Sequence, residues 1–391
     1  MNLASKQLCS GCTACYAVCP VFAIAMREDH EGFKSPEIDS KRCTDCGRCE
    51  QVCPVLHPRA AREPLAVYAA KNKDENVRSQ SSSGGIFTLL AQHVLKEKGV
   101  VFGAGWSPDW RVVHKAVETD RGLADLRGSK YVQSDMKDIF KQVKKVLDLK
   151  QKVLFTGTPC QVAGLWNYLC DSITKNHPYN ECLLLVDMIC MAVSSPKVFN
   201  LFLQEKTHQY NKSLKQISFR SKKNGWAKKT FVLNFADNQE YVECGDTENF
   251  CKGFAQSLFN RPACFNCSCR QLKSGADITI ADYWNVHKKF PALDDGRGIS
   301  LVMANTPLGS RIAGHILPLC DYVASNFDDV KKNNPAVLKS FGQHPNRRLF
   351  FQHMESENVE SLIREMLKPS LYRRLRNKVG RIKCKILGKI K

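Results

Sequence analysis

The feature that most constrains this chain is a doubled cysteine run. Cys9-x2-Cys12-x2-Cys15-x3-Cys19 is followed by Pro20, and the same spacing returns as Cys43-x2-Cys46-x2-Cys49-x3-Cys53 before Pro54. Runs of this kind hold 4Fe-4S clusters, and where two occur together the fourth cysteine of each ligates the other cluster. The spacing therefore assigns Cys9, Cys12, Cys15 and Cys53 to one cluster, and Cys43, Cys46, Cys49 and Cys19 to a second. Zinc needs no third cysteine at this interval, and a disulfide scaffold belongs to short secreted chains unlike this one.

A ferredoxin-type unit of this size leaves most of the 391 residues unaccounted for, so two or three domains are expected. No apolar run approaches the ~18 residues of a membrane span; the longest, Leu183 to Val193, is broken by Asp187. Met1 to Leu8 lacks the apolar core of an export signal. Nineteen cysteines without such a signal lead us to expect metal ligands in a reducing compartment, the cytoplasm. The net charge of +20 is compatible with nucleic acid, an anionic membrane, an acidic redox partner or anionic cofactors. No nucleic-acid recognition motif accompanies it, so no nucleic-acid partner is expected.

Beyond a Pro- and Arg-bearing connector, Val55 to Pro64, the chain alternates strands and helices. Leu65 to Ala70 reads as a strand, and Lys71 to Gln80 is polar. Ser81-Ser82-Ser83-Gly84-Gly85 then leads into a helix whose apolar positions 86, 89, 90 and 94 follow helical spacing. Gly99 suits its C-terminal side, and Val100 to Trp106 returns as a strand. A Ser-Gly-Gly turn opening a helix is either a phosphate site or an ordinary capped helix start. Arg127 to Val132 offers Lys130 and Tyr131 as a cation and a ring, for a cofactor or for the surface. Asp135 is expected to cap a helix from Met136 to Leu149. The buried-strand run Val153 to Thr156 ends in Gly157-Thr158-Pro159-Cys160-Gln161, a turn placed where α/β sheets hold ligands. Leu183 to Cys190 is a second such strand. Ser195 and Pro196 start a helix from Lys197 to Gln209.

From Leu214 to Val242 antiparallel strands are expected, with Lys222, Lys223, Lys228 and Lys229 flanking a turn. That hairpin is either simply solvated or a docking patch for an acidic partner or substrate. Cys264-x2-Cys267-x-Cys269 follows, a metal or redox spacing that lacks a fourth local ligand. Cys160 and Cys190, at two strand ends, are the available donors, and a third iron–sulfur cluster is expected there. Cys170, Cys182, Cys244, Cys251, Cys320 and Cys384 have no ligand spacing. Asp277 to Trp284 and Leu301 to Asn305 read as strands, the latter as the last, and Pro307 to Leu317 as a helix.

Taken together, Ser82-Ser83-Gly84-Gly85-Ile86, Gly128 to Val132, Gly157 to Gln161, Val186 to Cys190, Ser195-Pro196, Arg261-Pro262 with Cys264 and Cys267, and Asp277 to Ile280 with Asp282-Tyr283-Trp284 resemble the beta subunits of coenzyme F420 hydrogenase and formate dehydrogenase. The resemblance is to the bacterial branch with a fused dicluster ferredoxin, and it runs in order from about residue 1 to 305. It implies a flavoprotein, usually with FAD, beside a third 4Fe-4S cluster held by Cys160, Cys190, Cys264 and Cys267. Cys269 stands where relatives usually carry an aromatic residue. Ser82, Ser83, Gly84, Gly85, Lys130, Tyr131, Gly157 and Thr158 become the expected flavin contacts. Relatives exchange electrons between clusters and flavin, and hydride between flavin and substrate; bacterial members often accompany surface-polysaccharide genes. Here Cys190-Met191-Ala192 replaces the usual Cys-His-Gly, and Ala281 a glycine, which leaves the substrate class open, and with it whether F420 is used.

The expected fold is therefore α+β or α/β and multidomain: a dicluster ferredoxin-like domain at 1–60, then a mixed α/β flavin- and iron–sulfur-binding domain. The latter comprises a flavin-binding part at 65–145 and a part with the third cluster at 150–330, and a helical region follows at 331–391. The expected function is an iron–sulfur flavoprotein oxidoreductase with an organic substrate and a protein redox partner, or else an electron-transfer subunit without a substrate site. Lys368 to Lys391 carries ten Lys or Arg and no acid. Its Leu371, Leu375, Val379, Ile382, Ile386 and Ile390 fall within an arc of about 100° on a helical projection. That tail reads as a helix docked on its own domain or a partner, as a frayed basic end, or as an amphipathic helix on the anionic cytoplasmic leaflet.

Overall fold

The computed structural model describes residues 3–170, 179, 181–244 and 250–368. The basic tail beyond Lys368, with Cys384, lies outside the described residues. Among the described residues no helix is long and apolar enough to cross a membrane.

The doubling of the cysteine runs is written into the backbone. The offset that carries Cys9 onto Cys43 carries Gly11 (φ 70°) onto Asp45 (φ 50°) and Thr13 (φ 71°) onto Gly47 (φ 72°). Left-handed residues tighten each ligand loop before a short helix, Ala14–Val18 in the first half and Arg48–Gln51 in the second. Between the halves, β1 (Ile24–Glu28) and β2 (Lys34–Ile38) form an antiparallel hairpin.

The rest of the chain is built on one eight-stranded sheet. Its strands are β3 (Ala66–Asn72), β4 (Val100–Trp106), β5 (Val112–Val117), β6 (Val153–Thr156), β7 (Leu183–Met188), β11 (Ile278–Asp282), β12 (Ser300–Ala304) and β13 (Cys320–Ser325). They lie in the order β13-β3-β12-β11-β7-β6-β4-β5. The four central strands, β11, β7, β6 and β4, run parallel, with antiparallel strands on both sides. β6 and β7 are apolar almost throughout, as strands covered on both faces must be. One face is covered by the helices Ile86–Lys96 and Pro307–Ile316. The other is covered by Ile139–Asp148 and Pro159–Leu169, together with Cys12, Ala14, Ala17 and Val52 of the cysteine unit. Strands from 66–156 and from 183–325 thus share one sheet. The fold is mixed α/β, with a ferredoxin-like 4Fe-4S unit packed against an α/β sheet body.

A smaller antiparallel sheet, β10-β9-β8, is made of β8 (Leu214–Ser221), β9 (Thr230–Phe235) and β10 (Glu240–Glu243). It packs against the helices Pro196–Tyr210 and Val359–Leu367 around a phenylalanine-rich core.

Four local expectations change. The helix expected from Met136 begins at Ile139, because Lys137 is left-handed (φ 41°) and Asp135 is used in a bridge to Val113 and an ion pair with Lys34 (2.8 Å). The polar stretch after β3 contains a helix, Glu75–Ser79, capped by the Asp74 carboxylate. The strand expected to reach Cys190 ends at Met188, so Cys190 lies in the following loop. Leu301 to Asn305 is not the last strand: β13 pairs along the outer edge of β3.

Candidate functional site

The first ligand loop encloses a small cavity lined by Cys9, Cys12, Cys15 and Cys53, with Met26, Pro36 and Val55 among the apolar walls. Burial pushes the Cys12 thiol up to about 12 and Cys15 further still, and Cys53 is raised for the same reason. The neighbouring thiols of Cys9 and Cys53 add to the penalty on both Cys12 and Cys15. Four thiolates in such a space need cationic iron to offset desolvation, and the donor set fits a 4Fe-4S cluster. Among the described residues no three His, Cys, Asp or Glu side chains converge on a point suited to a single ion; here the thiols surround a space instead. In the second set Cys49 is buried, Cys19 packs beside it with Ile24 and Ile38, and Cys46 is exposed. The first set is thus the inner one and the second faces outward.

A third group of cysteines assembles at the carboxyl ends of the central strands. β6 and β7 are parallel neighbours, Thr156 opposite Val186. The chain leaves β6 through Gly157 and Thr158 into the helix Pro159–Leu169, with Cys160 in its first turn, and leaves β7 toward Cys190. Gln161 Oε1 accepts from the Thr158 N–H (2.9 Å) and hydroxyl (3.0 Å), and that hydroxyl lies 3.2 Å from the Cys160 sulfur. Cys264 and Cys267 come from the 3-10 turn Pro262–Asn266 and the residue after it. Burial raises Cys160, with Cys267 adding to it, and pushes Cys264 up to about 12, with Cys160 and Cys267 adding. Cys190 rises well above its ordinary value by burial and by Cys264. Cys267 alone is lowered, to about 6, by a hydrogen bond from the buried Cys269 thiol. The structure thus brings Cys160, Cys190, Cys264 and Cys267 together, with Cys269 bonded to one of them, and this donor set also suits a 4Fe-4S cluster.

The inner and third sets adjoin. The ionisation of Cys12 is disfavoured by Cys160 as well as by Cys9. One turn beyond Cys160, Gly164 faces Cys12 so closely that a Cβ there would lie 2.9 Å from the Cys12 sulfur.

The Ser-Gly-Gly turn is stitched to the sheet. Gly85 (φ 85°) precedes the helix Ile86–Lys96. A Cβ on Gly84 would lie 2.5 Å from the Ala70 carbonyl, so glycine is needed for packing against β3. Ser83 Oγ donates to the Ile299 carbonyl (2.9 Å), and Ser82 Oγ accepts from the Ser129 N–H (2.7 Å). Lys130 Nζ donates to the carbonyls of Asp125, Leu126, Arg127 and Gly128, closing the end of the short helix Leu123–Leu126. The Tyr131 ring stacks on Phe254 with centroids 5.0 Å apart. Both side chains expected to meet a flavin are therefore engaged inside the protein.

Against this turn the structure sets residues that sequence reasoning had left on a hairpin or passed over. Lys222 Nζ donates to the Ser83 carbonyl (2.8 Å), and burial lowers its pKa to about 8. Trp226 Nε1 donates to the Ser82 carbonyl (3.2 Å), and its ring stacks on Trp284 at 4.9 Å. Lys229 Nζ lies 4.3 Å from the Trp284 ring centroid. Arg220, 7% exposed, donates through Nη1 to Asp282 (2.6 Å) and to the Tyr131 hydroxyl (3.3 Å), while its Nη2 is buried without a partner. An unsatisfied guanidinium nitrogen beside two stacked indoles and two lysines fits a planar anionic ligand such as a flavin. The only hint in the sequence was the unusual density of Lys, Arg and Trp from 220 to 229. An open cleft of about 570 Å³ between the helices Pro196–Tyr210 and Val359–Leu367 lies apart from these groups. Its carboxylates are already committed, Glu205 to the N–H groups of Val359 and Glu360, and Glu360 to Lys206 (2.6 Å).

Comparison with known proteins finds matches along much of the chain. The family described as coenzyme F420 hydrogenase/dehydrogenase, beta subunit, matches with its N-terminal model over residues 67–141 and its C-terminal model over 150–317. The 4Fe-4S dicluster domain matches residues 8–56. No curated protein matches the chain. A solved structure of the F420-reducing NiFe hydrogenase complex from Methanosarcina barkeri has a similar chain, at 18% identity and a TM-score of 0.48, over 71% of this chain and 88% of that one.

Proposed function

Because the chain belongs to the coenzyme F420 hydrogenase/dehydrogenase beta subunit family, with a 4Fe-4S dicluster domain ahead of it, we propose that it is an iron–sulfur flavoprotein oxidoreductase. In this reading it carries electrons between a protein redox partner and an organic substrate, with surface-polysaccharide intermediates as a substrate class. Bound clusters would supply electrons one at a time, and bound FAD would combine two of them with a proton as hydride.

The observation that carries the reading is the contact between Cys12 and the helix bearing Cys160, which puts two thiol sets next to each other in one packed body. Cys43, Cys46, Cys49 and Cys19 hold the outward-facing cluster, where the partner delivers. Cys9, Cys12, Cys15 and Cys53 hold the inner one, and Cys160, Cys190, Cys264 and Cys267 the third. Ser82 to Gly85, Gly157 and Thr158 shape the flavin side, and Arg220 supplies a charged donor to an anionic ring or phosphate. Lys130 and Tyr131 support that site from behind, by fixing the Gly128–Ser129 turn and orienting Arg220.

Anaerobic purification tests this directly. Three clusters require about 12 iron per chain, and Cys264→Ala should retain about 8 with both ferredoxin-type EPR signals intact. Acid extraction should release FAD from the wild type, and Arg220→Met should lose flavin while keeping iron. A fully reconstituted wild type with 8 iron, or one that cannot be loaded with FAD, overturns the reading. Turnover with reduced viologen and candidate substrates separates an enzyme from a relay subunit, the second reading that the family membership favours. The basic tail extends the proposal to the membrane: the full chain should co-sediment with anionic vesicles at low salt, and a chain ending at Glu365 should not.

A further inference from the structure

Arg261 is 2% exposed and among the largest fully buried side chains of the protein. Its guanidinium reaches out of the third cysteine group into the ferredoxin-like unit. Nε donates to the Cys9 carbonyl (2.7 Å), Nη2 to the Lys34 carbonyl (2.8 Å) and Nη1 to Gln133 Oε1 (2.7 Å). Gln133 in turn donates to the Ser10 carbonyl (3.1 Å). The fit allows no side chain at Gly11, where a Cβ would lie 2.8 Å from Arg261 Nη1. The backbone of the same residue opens the turn that carries Cys264, its carbonyl accepting from the Cys264 N–H (3.0 Å). One buried cation therefore touches the first ligand loop of the inner set and anchors a ligand of the third.

Arg270 makes an instructive contrast. It donates to the carbonyls of Cys190, Ala336 and Met191 and to Ser340 Oγ (3.4 Å), none of them in the ferredoxin-like unit.

Resting on the three-cluster reading above, we propose that Arg261 is a positioning residue shared by two redox centres: it holds the inner ferredoxin-type cluster against the third and raises the reduction potential of both. The physical reason is that reduction adds negative charge to each centre, and a desolvated guanidinium stabilises that charge far more than a solvated one does. Arg270, whose hydrogen bonds go to residues outside the ferredoxin-like unit, raises the potential of the third alone.

The test is an anaerobic redox titration followed by EPR on wild type, Arg261→Met and Arg270→Met, with iron counted in each. Arg261→Met is expected to shift two of the three signals to more negative potential, each by at least about tenfold in the one-electron equilibrium, or about 59 mV. Arg270→Met is expected to shift one. Arg261→Lys keeps the charge and should return both potentials toward wild type, which a purely structural role would not do. Should Arg261→Met fail to fold or lose iron, Gln133→Glu places a carboxylate against the guanidinium in nearly the same shape and must lower the same two potentials. Full iron with an unshifted ferredoxin-type signal in Arg261→Met, or unshifted signals in Gln133→Glu, overturns the proposal. A wild type with only about 8 iron instead overturns the three-cluster reading on which it rests.

Discussion

Glu243 on β10 is 4% exposed; one carboxylate oxygen accepts from the Tyr241 hydroxyl (2.7 Å). Burial lifts its pKa from 4.5 to about 7. A carboxyl whose folded value lies above its unfolded one binds more protons in the native state across that window, so stability falls as pH rises from about 4.5 to about 7 and stays low above. Glu243→Gln removes the charge and should gain, relative to wild type, up to about 3 kcal/mol more at pH 8 than at pH 5, read from denaturant midpoints. An equal difference at the two pH values would contradict it. At this scale the sequence was legible where chemistry is local. The eight ferredoxin-type cysteines announce themselves by spacing within a loop. Arg261 and Arg220 do not, because Cys9 and Asp282, their decisive partners, are far away in sequence.

The Ser-Gly-Gly turn opens a helix, as its sequence suggests. Its glycines suit either backbone approach to a phosphate or an ordinary helix start. The structure makes Gly84 a packing residue between the Ala70 carbonyl and the Ser300 N–H, 2.5 and 2.8 Å from where a Cβ would stand. Gly84→Ala is therefore expected to cost about 1–3 kcal/mol through overpacking, measured by chemical denaturation. Gly314→Ala, whose Cβ meets open space in a helix, should be neutral or stabilising by up to about 1 kcal/mol. β6 and β7 were readable as short apolar runs. β13 was missed because an edge strand with Asp321 and Tyr322 exposed lacks that pattern and is held only by β3. The hairpin lysines were read as solvated or as a docking patch. Lys222 instead turns back onto the Ser83 carbonyl and Lys229 onto Trp284, while Lys223 pairs with Glu240 at the surface.

Over the whole molecule, the ferredoxin-like unit is fastened at its hairpin as firmly as at its ligand loop. Arg347, 5% exposed, grips Glu31 with both terminal nitrogens and donates through Nε to the Asn260 carbonyl (3.1 Å). The Glu31 carbonyl accepts from Ser195 Oγ, and Gly32 lies so close to Lys197 that a Cβ would sit 2.3 Å from the lysine Cβ. Glu31→Ala strands a buried guanidinium and should cost about 3–5 kcal/mol. Limited proteolysis should then cut within 24–38 faster than in wild type; equal protection would argue that the clamp is dispensable. No sequence pattern marks this joint, since Glu31 and Arg347 lie near opposite ends of the chain. A unit pinned at Arg261 and Arg347 cannot swing out on the connector Val55 to Pro64 to meet a partner and return. In the three-cluster reading, delivery to the third centre then involves no diffusive search, and its rate should not fall as glycerol thickens the solvent. Added free ferredoxin should likewise be unable to stand in for residues 1–60, because the seat it would need is occupied whenever the chain is folded.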